Sequence, residues 1–140
     1  MRRTEITLGG WMMLVAGVGV MMFAGCGPRP TPGGTAGRLT SGGLPLSEVQ
    51  LTIHGVEGSE FRALGIAVPS SDGEFRLVTM EARGPLLLTP GEYRCTLESL
   101  GAPVVIPPEY TSPATTPWKI EWSDSSQLLQ LEAPPLRPLR

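Results

Sequence analysis

The chain has 140 residues and a formal net charge of −2, with 18 glycines and 15 prolines against three Phe, two Tyr and three Trp. Turn residues recur every 8–12 positions, a composition that disfavours helices and favours short strands joined by loops. Residues 37–133 hold six Arg and Lys against twelve Asp and Glu, a balance of −6, which is the wrong sign for releasing counterions from a nucleic acid.

The first element in chain order is a leader. Arg2 and Arg3 precede the apolar run Trp11 to Phe23, and the small residues Ala24 and Gly25 stand before Cys26. These are the three parts of a secretory signal, ending on a thiol. Small residues let a peptidase reach the backbone, and a thiol at the membrane surface can be alkylated by lipid. Residues 1–25 are therefore expected to be a lipoprotein signal peptide that is removed, leaving Cys26 as an N-terminus that carries acyl chains such as palmitate. The alternative is an uncleaved transmembrane helix, because Leu8 to Gly25 gives 18 residues without a charge. Both readings export the domain beyond Cys26. The expected place is the cell envelope, tethered to the membrane and facing the periplasm or the exterior. Gly27 rather than Asp after the cysteine favours an outer membrane.

Residues 26–36 read as a Pro/Gly-rich linker, since Gly27 to Gly34 cannot form helix or central strand. Residues 37–133 are the predicted domain, and 134–140 a flexible tail. Arg29, Arg137 and Arg140 fall in these proline-rich flanks, read as unstructured. Thr35 to Thr40 is a weak first strand, turned by Ser41-Gly42-Gly43. Val49, Leu51 and Ile53 alternate with Gln50, Thr52 and His54, the mark of a half-buried strand. A polar loop is predicted over Val56–Arg62, then a strand with Leu64, Ile66 and Val68 inward. Ser70-Ser71-Asp72-Gly73 should turn that strand into Glu74–Thr79 as a hairpin. Leu86 to Leu88 reads as a short buried segment, and Tyr93–Ser99 as a strand with Tyr93, Cys95 and Leu97 inward. The five prolines from Gly101 to Pro117 predict a long surface loop. Trp118–Trp122 and Gln127–Leu131 read as a final hairpin around Asp124-Ser125-Ser126. The sum is an all-β fold: a single Greek-key β-sandwich of about seven strands. No internal repeat is visible.

Four landmarks resemble a known family. Gly43-Leu44-Pro45-Leu46-Ser47-Glu48-Val49, Asp72-Gly73-Glu74-Phe75 and Pro90-Gly91-Glu92-Tyr93 look like the ordered motifs of carboxypeptidase regulatory-like domains. Ile106-Pro107-Pro108-Glu109-Tyr110 with Ser112-Pro113 is similar to a proline loop in short bacterial lipoproteins carrying one such domain. The resemblance covers roughly residues 37–132 and implies a transthyretin-like sandwich. It implies no activity, since most members have no assigned reaction. A purine-ring hydrolase of that fold depends on several histidines, and this chain has one.

Chemistry is sparse. His54, on the polar face of its strand, is expected to be a solvated imidazole titrating at about 6.5. Neither a Ser-His-Asp relay nor a zinc ligand set can be assembled around it. Cys95 reads as a buried, inert thiol. Asp72 and Glu74 flank a turn and fall short of the oxygens calcium needs. No catalytic residue, metal or cofactor is expected. Trp118 and Trp122, with Ile120 on the same face, pack into the core or, alternatively, stack on sugar rings as in a carbohydrate-binding module. Tyr110, in the proline loop, is the expected exposed aromatic contact. The function predicted is a non-enzymatic, membrane-tethered module that binds an envelope protein or glycan or supports envelope structure, with strand edges open to β-addition. An enzyme using an unrecognised site is the alternative.

Overall fold

The computed structural model describes residues 33–123 and 127–139. The early strands are β1 (Ala36–Ser41), β2 (Leu44–Pro45), β3 (Val49–Glu57), β4 (Glu60–Ala67), β5 (Glu74–Arg76) and β6 (Val78–Thr79). The later ones are β7 (Gly91–Ser99), β8 (Val104–Val105), β9 (Lys119–Trp122), β10 (Leu129–Ala133) and β11 (Arg137–Pro138), with a 3₁₀ turn at Pro108–Thr111. The fold is an all-β sandwich. One sheet centres on β1, which pairs with β10 in parallel and with β2 and β5 antiparallel. The other has the order β6-β4-β3-β7-β9, and β8 and β11 form a separate two-stranded ribbon. Four of the eleven strands among the described residues are only two residues long, which is why alternation predicts about seven.

The core lies where alternation put it. Val49, Leu51 and Ile53 of β3 and Tyr93, Cys95 and Leu97 of β7 are buried on one inner face. Leu39, Phe75, Leu129, Leu131 and Ala133 face them from the other sheet in one cluster. At Gly73 the turn needs a bare backbone: φ is 81°, and an added Cβ would collide with the Leu39 carbonyl oxygen. That close approach lets Leu39 N–H donate to the Gly73 carbonyl at 2.8 Å, tying the turn to β1.

Several expected pairings differ. The loop predicted over Val56–Arg62 is instead strand, because β3 and β4 continue as one hairpin to a tip at Gly58. The register of that hairpin shifts between Ile53 and His54. A bulge adds one residue and reverses which side chains point inward. Leu64, at the bulge, still packs partly buried against the core as expected, but beyond it Gly65 and Ala67 are buried in place of Ile66 and Val68, and Val68 is 54% exposed. The predicted hairpin with Glu74–Thr79 survives only at Val78–Thr79, which pairs with β4. Glu74–Arg76 pairs with β1 in the opposite sheet, and the buried Leu77 marks the crossing.

The final hairpin is absent too. β9 extends the five-stranded sheet beside β7, while β10 joins the other sheet beside β1. The proposed turn at Asp124-Ser125-Ser126 lies outside the described residues. Leu86 is partly buried and Leu88 buried, but Leu87 between them is exposed. The boundaries shift as well. β1 begins inside the expected linker at Ala36, and the expected flexible tail contains β11, which pairs with β8.

Candidate binding site

The outer face of the five-stranded sheet is polar by the same alternation that makes its inner face apolar. Thr52 on β3 stands opposite Thr96 on β7, and His54 stands opposite Arg94. The proline-rich segment after β7 folds back over this face. Leu100 and Ala102 N–H both donate to the Glu48 carbonyl, at 2.9 and 3.3 Å. Val104–Val105 then pairs with Arg137–Pro138, and Leu139 N–H donates to the Pro103 carbonyl at 2.9 Å. The β8–β11 ribbon is thus a flap held together by its own bonds and fastened to the sheet beside Glu48.

Between flap and sheet lies an open cleft of about 700 Å³, within the range of small-ligand and peptide sites. Thr52, Thr96 and Glu98 line it from the sheet, and Val104, Ile106 and Leu139 from the flap. The floor is largely polar, and the flap side is apolar apart from Thr111. That combination suits a ligand with an apolar surface and a few hydrogen-bonding groups.

His54 sits at the margin of this floor. Its Nε2 is 2.9 Å from the Thr96 hydroxyl, and partial burial pulls its pKa below the ordinary 6.5. This corrects the expectation of a freely solvated imidazole: the ring is half-buried beside the buried Thr96. A hydroxyl beside an imidazole is half of a nucleophile–base relay, but among the described residues no carboxylate contacts the ring to orient it. Arg94 is held by Glu92 at 3.2 Å and lies over the Phe61 ring at 6.0 Å.

The sequence-predicted aromatics are elsewhere. Tyr110, expected to be exposed, is 7% exposed and meets Trp118 edge-on with ring centroids 4.8 Å apart. The 3₁₀ turn directs it inward. Trp118 reaches across the open side of the sandwich, its Nε1 donating to the Glu132 carbonyl of β10 at 3.1 Å. Trp122 is buried on the inner face, and its Nε1 has no partner among the described residues. These three rings tie the two sheets together and leave no row of ring faces toward solvent. The structure also buries Cys95 deeply, which pushes its thiol up to about 12. Asp72 accepts from Ser70 Oγ and from Glu74 N–H, bonds that close its turn and hold its carboxyl below the usual range. Glu74 pairs with Arg38 at 2.9 Å. Among the described residues no three acidic, His or Cys side chains are grouped as a metal site would require. Cys26, the leader and the alternative transmembrane segment lie outside the described residues.

No family description, curated protein or solved structure matches this chain. The cleft's residues were not singled out from sequence. Thr96 was visible as an outward position, and the β-branched run Val104-Val105-Ile106 as an apolar interruption of the proline loop. Nothing in their spacing joined them to Leu139, 33 positions beyond Ile106.

Proposed function

We propose that this chain is an envelope lipoprotein, held to the membrane through Cys26, whose sandwich is a non-enzymatic module binding an envelope protein. The observation carrying the binding role is the cleft between the polar outer face of β3 and β7 and the apolar underside of the β8–β11 flap. A protein is favoured over a glycan because Trp118, Trp122 and Tyr110 spend their faces on the core, whereas sugar recognition stacks rings on exposed aromatics. The cleft is also favoured over β-addition at β9, an edge of only four residues that carries Lys119 and Glu121 outward. The order of the leader, with charge, apolar run, small residues and cysteine, supports the tether.

Photo-crosslinking in cells tests the binding role. A crosslinker at Val105 or Leu139 should capture one discrete protein that a crosslinker at Gln130, exposed on the opposite sheet, does not. Equal capture at all three positions would count against the cleft. Labelling with a fatty-acid probe tests the tether: the label should vanish in Cys26→Ser, and a persistent membrane fraction without label would favour the transmembrane alternative.

A further inference from the structure

The described chain starts at Gly33, and the surface around that start is apolar. A Cβ built on Gly33 would lie 3.9 Å from the Pro85 ring. The next residues are fastened to the same segment. Thr35 N–H donates to the Leu86 carbonyl at 2.9 Å, Leu77 N–H to the Thr35 carbonyl at 2.9 Å, and Leu88 N–H to Thr35 Oγ1 at 2.9 Å. On either side of Pro85 in sequence, Met80 is 44% and Leu87 63% exposed.

This exposure is built in. Thr79 N–H donates to the Gly84 carbonyl and Ala82 N–H to the Thr79 carbonyl, closing the turn that presents Met80. Leu86 packs against the core and Leu88 is buried, so the alternation turns Leu87 outward. The basic side chains here are Arg83, largely exposed, and Arg76, which donates to the Gly34 carbonyl at 3.2 Å. Glu81, 3.7 Å from Arg83, is the opposing charge.

The length of the preceding chain decides what faces this surface. Gly33 follows Cys26 by seven residues, which span at most about 25 Å when fully extended. A membrane holding Cys26, or holding the apolar run before it, is therefore within that distance of Gly33, which sits against Pro85.

We infer that Met80, Pro85 and Leu87 form a membrane-contact face that seats the domain on the bilayer to which it is tethered. This rests on the tether proposed above. Two or three side chains bind a bilayer weakly by themselves, but a short tether makes the contact intramolecular and raises its effective concentration. The two arginines against one glutamate suit an anionic headgroup layer. Seating has a consequence for the cleft. β7 begins four residues after Leu87, and Glu98 and Ser99 lie at its far end, about 26 Å along the strand. The cleft is then held away from the bilayer, open to a partner.

The test uses the full chain purified from membranes and reconstituted in vesicles of phosphatidylglycerol and phosphatidylethanolamine with brominated acyl chains. Cys95 is buried and a lipidated Cys26 has no free thiol, so a cysteine introduced as Met80→Cys, Leu87→Cys or Leu44→Cys takes a fluorophore selectively. The same three variants made in Cys26→Ser leave no second reactive thiol. Leu44 is the control, being 71% exposed and paired to the opposite end of β1 from Gly33. Labels at Met80 and Leu87 should be quenched about twofold or more beyond the label at Leu44, as for side chains reaching the headgroup–acyl boundary. Equal quenching at the three positions in membrane-bound protein overturns the seating and leaves the tether standing. Quenching at Leu87 that persists when Cys26→Ser remains membrane-bound keeps the seating and replaces the lipid by the transmembrane segment. A full chain that does not associate with vesicles overturns both.

Discussion

The two faces of β3 and β7 are made from the same eighteen residues, nine on each strand, and differ in almost every physical respect. Inward positions hold Val49, Leu51, Ile53, Tyr93, Cys95 and Leu97, all buried. Outward positions hold Thr52, His54, Arg94, Thr96 and Glu98, where His54 meets the Thr96 hydroxyl and Arg94 pairs with Glu92. The inner face is closed by rings that span both sheets. The outer face is covered by the two-residue strands of the ribbon and by the segment from Ile106 to Thr111. The contrast teaches how a small domain divides its strands: one face is spent on the core, and the other is left to line the cleft proposed for binding.

The comparison breaks most visibly at Trp118. Trp118→Ala should cost about 3–5 kcal/mol by chemical denaturation, through lost burial and the cavity left between the sheets. That is a large part of a small domain's stability. A much smaller loss would place the closing contacts elsewhere. Next in size is the contrast between the two indoles. Trp118→Phe removes the bond to the Glu132 carbonyl and should cost about 1 kcal/mol beyond any packing change. Trp122→Phe deletes an N–H with no partner among the described residues and should cost no more than its packing change.

Cys95 sharpens the contrast by reactivity. With its thiol pushed up to about 12 by burial, it should resist iodoacetamide in the folded protein at pH 8 and react once denaturant unfolds the chain. Rapid alkylation of the native state would mean that the inner face opens readily. On the flap, Leu139→Ala should shift stability by no more than about 0.5 kcal/mol, yet quicken amide exchange at Val105, whose strand pairs with β11.

The smallest effect is at His54. Its pKa is lowered on folding by desolvation, so near and below 6.5 the unfolded state binds more protons than the folded one. Stability should therefore rise with pH through the window from the folded value up to 6.5, and this part should vanish in His54→Gln. An NMR titration of the ring should give a midpoint below 6.5; a midpoint above it would mean that a carboxylate, rather than burial, governs this side of the sheet.

The sequence by itself determined the all-β class, the inward sets of β3 and β7, the turn at Asp72-Gly73 and the inert thiol of Cys95. Each follows from interactions a few residues long: period-two alternation, a glycine that can take positive φ, the absence of donors on proline. What only the tertiary structure decided is pairing. Alternation gives each strand two faces but does not say which sheet receives it, so Trp118–Trp122 and Gln127–Leu131 looked like one hairpin and belong to opposite sheets. A single bulge at Ile53/His54 reversed the inward face of β4 beyond Leu64, because one added residue inverts a period of two. The candidate site was least legible of all. Thr52, Thr96, Val104 and Leu139 are spread over 87 positions and meet only because the flap's backbone hydrogen bonds fold two proline-rich segments back onto the outer face.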